Sequence, residues 1–154
     1  MSQSTRNTRI INAPAEKIYK ALTSPGALET WQAPGDMTGK VHKFDLREGG
    51  GYGMSLFYPQ DETEMTGKTA AREDRFTVKF IELKYPEKIF QTVVFHTDDP
   101  KFSGEMAMEI TFEPQENATN VMFSFRDIPI GIRPEDNETG TKSSLEKLAM
   151  YVEN

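Results

Sequence analysis

Residues that could do chemistry are few in this chain of 154 residues. His42 in KVHKF and His96 at the end of TVVFH are its two histidines. Neither has a second histidine at metal-ligand spacing. Asp98 and Asp99 follow His96 closely, and a histidine with carboxylates is a donor set that suits a divalent metal. The plainer reading is a solvated loop with turn-forming acids. A serine–histidine–carboxylate triad is open to this chain, but no G-x-S-x-G nucleophile elbow is present. Glu82, in RFTVKFIEL, continues the parity of Phe76, Val78 and Phe80. If it points inward, burial raises its pKa unless it is paired. Arg47 and Arg126 are then candidate partners. Such a carboxylate serves either as a general acid/base or as the anchor for one polar group of a ligand. The competing reading is that the strand has already reached solvent at Glu82.

Two glycine motifs bear on nucleotide chemistry. LREGGGYGMSL (46–56) has three consecutive glycines and a fourth two residues on. A dinucleotide fingerprint needs glycine at its first, third and sixth positions and must open a helix. Counting from Gly49, the sixth position is Met54, and the residues that follow alternate as a strand, so no helix dipole faces a phosphate. GKT at 67–69 resembles the end of a P-loop, but that motif's first glycine would fall on Glu62. Both matches are set aside. The glycines are expected to make a tight turn and a sheet bend, with Tyr52 and Met54 then aimed inward.

Composition narrows the function classes. A net charge of -6 argues against nucleic acid, whose binders usually carry a basic patch. The absence of cysteine excludes disulfides and thiolate metal sites and fits a reducing compartment. The polar start MSQSTRNTRI lacks the apolar core of a signal peptide, and no apolar run approaches the roughly 20 residues of a spanning helix. A cytoplasmic protein is expected, and the N-x-[ST] matches at Asn117 and Asn137 are then chance.

The elements that must position these residues follow from periodicity. STRNTRIIN reads as a strand. NAPAEKIYKALTS reads as a helix capped by Asn12, with Pro14 in its first turn and Ala15, Ile18 and Leu22 on one face. SPGALETWQ starts a short helix at Ser24 and Pro25, with Leu28 and Trp31 sharing a face. From Met37 the period becomes two. GKVHKFDL, YGMSLFY, RFTVKFIEL, KIFQTVVFHT, EMAMEITFEP and NVMFSFRDI read as six strands joined mostly by short turns, an antiparallel meander. QDETEMTGKTAARED (60–74) is expected to be a long polar hairpin excursion. RPEDNETGTKSSLEKLAMYVEN closes the chain as a helix with Leu145, Leu148, Ala149 and Val152 inward. Its start is either Pro134 or the capping box at Ser143.

The segments INAPAEKIYKALTSPGALETW, DLREGGGYGMSL, FIELKYPEKI, DDPKFSGEMAMEITFEP and GIRPEDNETGTKSSLEKLAMYVE resemble, in order and over nearly the whole chain, the START-like (SRPBCC) superfamily. Within it the chain is most similar to the group named after the activator of heat-shock protein 90 ATPase. The resemblance implies an α+β helix-grip fold over residues 1–154 as one START-like domain. In that fold a bent antiparallel sheet of about seven strands wraps around a long C-terminal helix, with two short helices after the first strand. It also implies a pocket between sheet and helix for a small apolar or amphipathic molecule. Chaperone contact and cyclase or hydrolase chemistry are the alternatives the superfamily offers, and a homodimer is one assembly in view. The residues expected at the pocket are Trp31, Tyr52, Met54, Phe80, Glu82, Phe95, Met106, Met108 and Phe123, against the reading that most of them, with Phe125, are ordinary core. No catalytic residue, metal ligand or cofactor is assigned.

Overall fold

The computed structural model describes residues 3–33, 36–58 and 73–153. The excursion expected over 60–74 and the GKT match lie almost wholly outside these residues.

The chain runs β1 (Gln3–Ile11), α1 (Ala15–Leu22), α2 (Pro25–Trp31), β2 (Thr38–Asp45), β3 (Gly51–Phe57), β4 (Glu73–Lys84) and β5 (Lys88–Phe95). After a short 3₁₀ turn (Pro100–Phe102) come β6 (Glu105–Gln115), β7 (Ala118–Ile128) and α3 (Pro134–Glu153). The strands form one antiparallel sheet in the order β1-β7-β6-β5-β4-β3-β2. Sequential strands from β2 to β7 pair with one another, and β1 closes onto β7 from the far end of the chain. The sheet is open, so β1 and β2 are its edges. This is the helix-grip arrangement that the resemblance implies.

Period-two alternation sets the two faces. Phe76, Val78 and Phe80 of β4, Met106, Met108, Ile110 and Phe112 of β6, and Val121, Phe123 and Phe125 of β7 are buried and share the helix-facing side. Leu145, Leu148, Ala149 and Val152 of α3 meet them, together with Ile11, Ile18 and Leu28, in one continuous core. Burying such a set supplies roughly 1.5–3 kcal/mol per large apolar side chain relative to exposure.

The helix ends differ in detail from the sequence reading. Pro14, not Asn12, is the N-cap of α1. The Ala13 amide turns back to the Ile11 carbonyl at 2.9 Å, which uses Asn12 in the turn, and the Asn12 amide instead donates to Glu153 Oε2 at 2.9 Å. Ser24 does occupy the N-cap of α2, with Pro25 behind it, but its hydroxyl makes no capping bond. α3 starts at Pro134, and Ser143 and Ser144 lie inside it.

The glycine turn joins β2 to β3. Gly49 and Gly51 have φ of +87° and +155°. The Gly49 amide donates to the Phe80 carbonyl at 2.8 Å, and the Phe80 amide donates to the Gly50 carbonyl at 2.9 Å, so the turn stays in register with β4. A Cβ on Gly51 would sit 1.9 Å from the Val78 carbonyl oxygen, which only glycine avoids. The run is a close backbone crossing, with no helix opening behind it.

Candidate functional site

A cavity of about 230 Å³ lies between the concave face of the sheet and the first half of α3. Its existence follows from what α3 presents there. The inward stripe of the helix begins with Asn137, Gly140, Thr141 and Ser144 and only then becomes Leu145, Leu148 and Val152. Short side chains cannot span the gap to the sheet, whereas leucines can. A Cβ on Gly140 would have nothing within 4 Å.

The sheet wall is apolar. Val78, Val93, Met106, Met108, Phe123 and Phe125 face the space, with Phe76, Phe95 and Leu56 toward the β3–β5 side. Trp31 and Leu22 close it from the short helices. The Trp31 indole already donates to the Ala21 carbonyl at 2.8 Å, so it offers the cavity only its hydrocarbon surface.

Most helix-borne polar groups at the wall are turned back on the protein. Thr5 donates to Asn137 Oδ1, Thr141 Oγ1 donates to the Asn137 carbonyl at 2.7 Å, and Ser144 Oγ donates to the Gln32 carbonyl at 3.2 Å. Lys147 Nζ reaches the Ala33 carbonyl at 2.6 Å, so α3 fixes the segment carrying Gln32.

A second polar group gathers around Tyr52. Its side chain is fully buried, its ring stacks on Phe44 at 5.5 Å, and burial pushes its hydroxyl pKa upward while the amides of Gln32 and Gln91 pull the other way. Gln91, on the inward parity of β5, donates weakly to the Met108 sulfur at 3.3 Å. Gln32 Oε1 is buried with no hydrogen-bond partner among the described residues. An orphaned acceptor of this kind costs roughly 1–3 kcal/mol unless something donates to it.

Two carboxylates border the cavity. Asp74 is 1% exposed and accepts from the Tyr58 hydroxyl at 3.0 Å. Burial and the neighbouring Asp74 push the Tyr58 pKa up to about 12. Asp136 sits exposed in the first turn of α3, near Arg133. Among the described residues, no lysine, arginine or histidine lines the space.

Of the residues expected at a pocket, Trp31, Tyr52, Phe95, Met106, Met108 and Phe123 line this cavity. Met54 and Phe80 share the inward face but are fully buried in solid core. The Met54 methyl lies over Gly39, 2.6 Å from where a Cβ would be, and Phe80 packs on Phe44 and Tyr52 at 6.1 and 5.8 Å. Glu82 is not inward. The β4–β5 register shifts between Phe80 and Glu82, so Ile81 is bulged and parity inverts; Leu83, opposite Ile89, takes the inward course. Glu82 instead pairs at the surface with Lys88 at 2.7 Å, and that hydrogen bond holds its pKa below the usual carboxylate value.

Both histidines stand on the opposite face of the sheet. His42 Nε2 is 2.7 Å from Ser55 Oγ, which donates to Glu73. His96 Nε2 meets Thr77 Oγ1. In the first set the carboxylate bonds the serine, not the histidine, so the order of a hydrolase triad is not met. Among the described residues, no three His, Asp or Glu side chains gather as a metal site. Reading the sequence missed Gln91, Asp74, Gln32 and the Asn137–Ser144 stripe. The signal was there for Gln91, a polar residue on the buried parity of Ile89, Val93 and Phe95.

No helix among the described residues is long and apolar enough to cross a membrane. No curated protein matches the chain. Solved structures do. A crystal structure of a protein from Chromobacterium violaceum is similar at 29% identity with a TM-score of 0.85, covering 99% of both chains. A solution structure from Staphylococcus epidermidis matches 97% of this chain and 89% of its own at 22% identity and TM-score 0.76. An AHSA1-like protein from Aeromonas hydrophila does so at 18% identity and TM-score 0.69, over 97% of this chain and 92% of its own. The last two speak for the fold alone. Residues 12–153 match the family described as activator of Hsp90 ATPase homolog 1-like protein, and this chain is a member of that family, within the START-like superfamily.

Proposed function

We propose that this protein binds a compact, mostly apolar small molecule in the cavity under the first half of α3. The observation that carries the reading is Gly140. A glycine inside a helix costs about 1 kcal/mol relative to alanine. Here it lines the cavity and a Cβ added to it would meet nothing within 4 Å, so the helix forgoes stability where volume is kept. Size limits the ligand. A cavity of 230 Å³ exceeds the roughly 150 Å³ that holds benzene and falls below the roughly 300–1,000 Å³ of drug-sized pockets. One or two rings fill it. Met106 and Met108 supply an adaptable wall. Among the described residues the wall holds no nucleophile–base pair, and the histidines are across the sheet, so the reading is binding.

Thermal unfolding against a panel of one- and two-ring compounds tests it. A ligand at 100 times its dissociation constant stabilises by about 2.7 kcal/mol, a clear shift in midpoint. A panel that shifts nothing at millimolar concentration overturns the reading. The family description supports a second role, contact with a chaperone of the heat-shock protein 90 type. Stimulation of that chaperone's ATPase by the purified protein would establish it, and no binding and no stimulation would remove it.

A further inference from the structure

Resting on the cavity reading, we infer that its ligand carries a hydrogen-bond donor and no negative charge, and that Gln32 Oε1 receives the donor. Two independent observations converge on this. The first is hydrogen-bond supply. Thr141, Ser144 and Asn137 are already engaged with the protein, and the Trp31 N–H is taken by Ala21. Gln32 Oε1 is the buried cavity-wall oxygen left with no partner among the described residues. Its backbone lies in a segment that α3 holds in place through Ser144 and Lys147, and its side-chain amide is hydrogen-bonded to Tyr52. A ligand N–H or O–H placed there removes the penalty of an unmet acceptor; an ether or carboxylate oxygen placed there adds repulsion.

The second observation is charge. The ionisable carboxylates at the wall are Asp74, beside Leu56 and Phe76, and Asp136 at the helix start. Arg133 stands near Asp136 but is itself paired to Glu135 at 2.9 Å, outside the lining. The Tyr52 hydroxyl, its pKa raised, stays neutral at physiological pH. An anionic ligand would enter a low-dielectric space bordered by like charge and would meet no cation among the described lining residues, which costs far more than in water. Fatty acids and aromatic acids are therefore disfavoured by their charge. Small phenols, N–H heteroaromatics and amines satisfy both conditions.

The test uses an isosteric pair and an anion. Indole donates through its N–H; benzofuran has the same shape and no donor; benzofuran-2-carboxylate adds the charge. Dissociation constants from titration calorimetry at neutral pH should rank indole about fivefold tighter than benzofuran. The carboxylate should be at least about tenfold weaker than benzofuran. Gln32→Leu should bring indole down to the benzofuran level. Gln32→Glu, which keeps an acceptor oxygen, should retain the preference for indole. A cooperative unfolding transition in each variant certifies that it is folded. Equal affinity for indole and benzofuran, or carboxylate binding as tight as benzofuran, overturns this inference and leaves the cavity reading standing. Binding of none of the three overturns both.

Discussion

The two halves of α3 cover the same sheet and do opposite things. The second half buries Leu145, Leu148 and Val152 in the same core as Ile11, Ile18, Ile110 and Val121. The first half sets Asn137, Gly140, Thr141 and Ser144 over Met106, Met108, Phe123 and Phe125 and leaves about 230 Å³. Large apolar side chains of the sheet belong to both regions. Side-chain length on the helix, three or four residues apart, therefore decides whether the grip is solid or hollow. Protein interiors are ordinarily packed to crystal-like density, so the hollow half is the exception that needs a reason.

Truncation should separate the halves most strongly. Leu148→Ala, at a site with no exposure, is expected to lose about 2–5 kcal/mol by urea denaturation. Met106→Ala should cost clearly less, because its side chain already borders space. Equal losses would mean that the cavity closes in solution.

Next in size is the response to alkali. Tyr52 is buried at the hollow end with its pKa raised above the ordinary 10. In the unfolded chain it ionises near 10, and in the folded protein burial moves its ionisation to higher pH. Its contribution is therefore complete below pH 10 and is lost as pH rises further, at about 1.4 kcal/mol per unit. Tyr52→Phe should flatten the part of the stability curve above pH 10 that this group causes.

Smaller again is Gly140→Ala, which should raise stability by about 1 kcal/mol, since the new methyl meets nothing. An equivalent gain is not on offer at Gly51, where a Cβ strikes the Val78 carbonyl. Glu82→Gln is the smallest. It removes an exposed pair with Lys88, and neither the thermal midpoint nor indole binding should move measurably.

These contrasts also mark how far the sequence could be read. Periodicity placed Met106, Met108, Phe123 and Trp31 on the right face, because a strand's alternation and a helix's i, i+3 stripe depend only on local geometry. The order of strands and helices, together with the resemblance to the START-like superfamily, pointed to the grip. Parity cannot tell core from cavity, however. Met54 and Phe80 share the face of Tyr52, yet what lies opposite each depends on the width of a helix residue far along the chain. Parity failed at Glu82 because a bulge at Ile81 inserts one residue, which no local pattern in RFTVKFIEL announces. Gln91 was legible as a polar residue in an apolar register and was passed over. Gln32 follows α2 in an irregular segment, and its backbone is held by Ser144 and Lys147 more than a hundred residues later.

The most direct test of the hollow half is titration calorimetry of indole into the wild-type protein and into Gly140→Leu. The account predicts measurable binding to the wild type, and its loss in a variant that unfolds at the same temperature or higher because the leucine occupies the space. Unchanged indole affinity in a folded Gly140→Leu protein would contradict it.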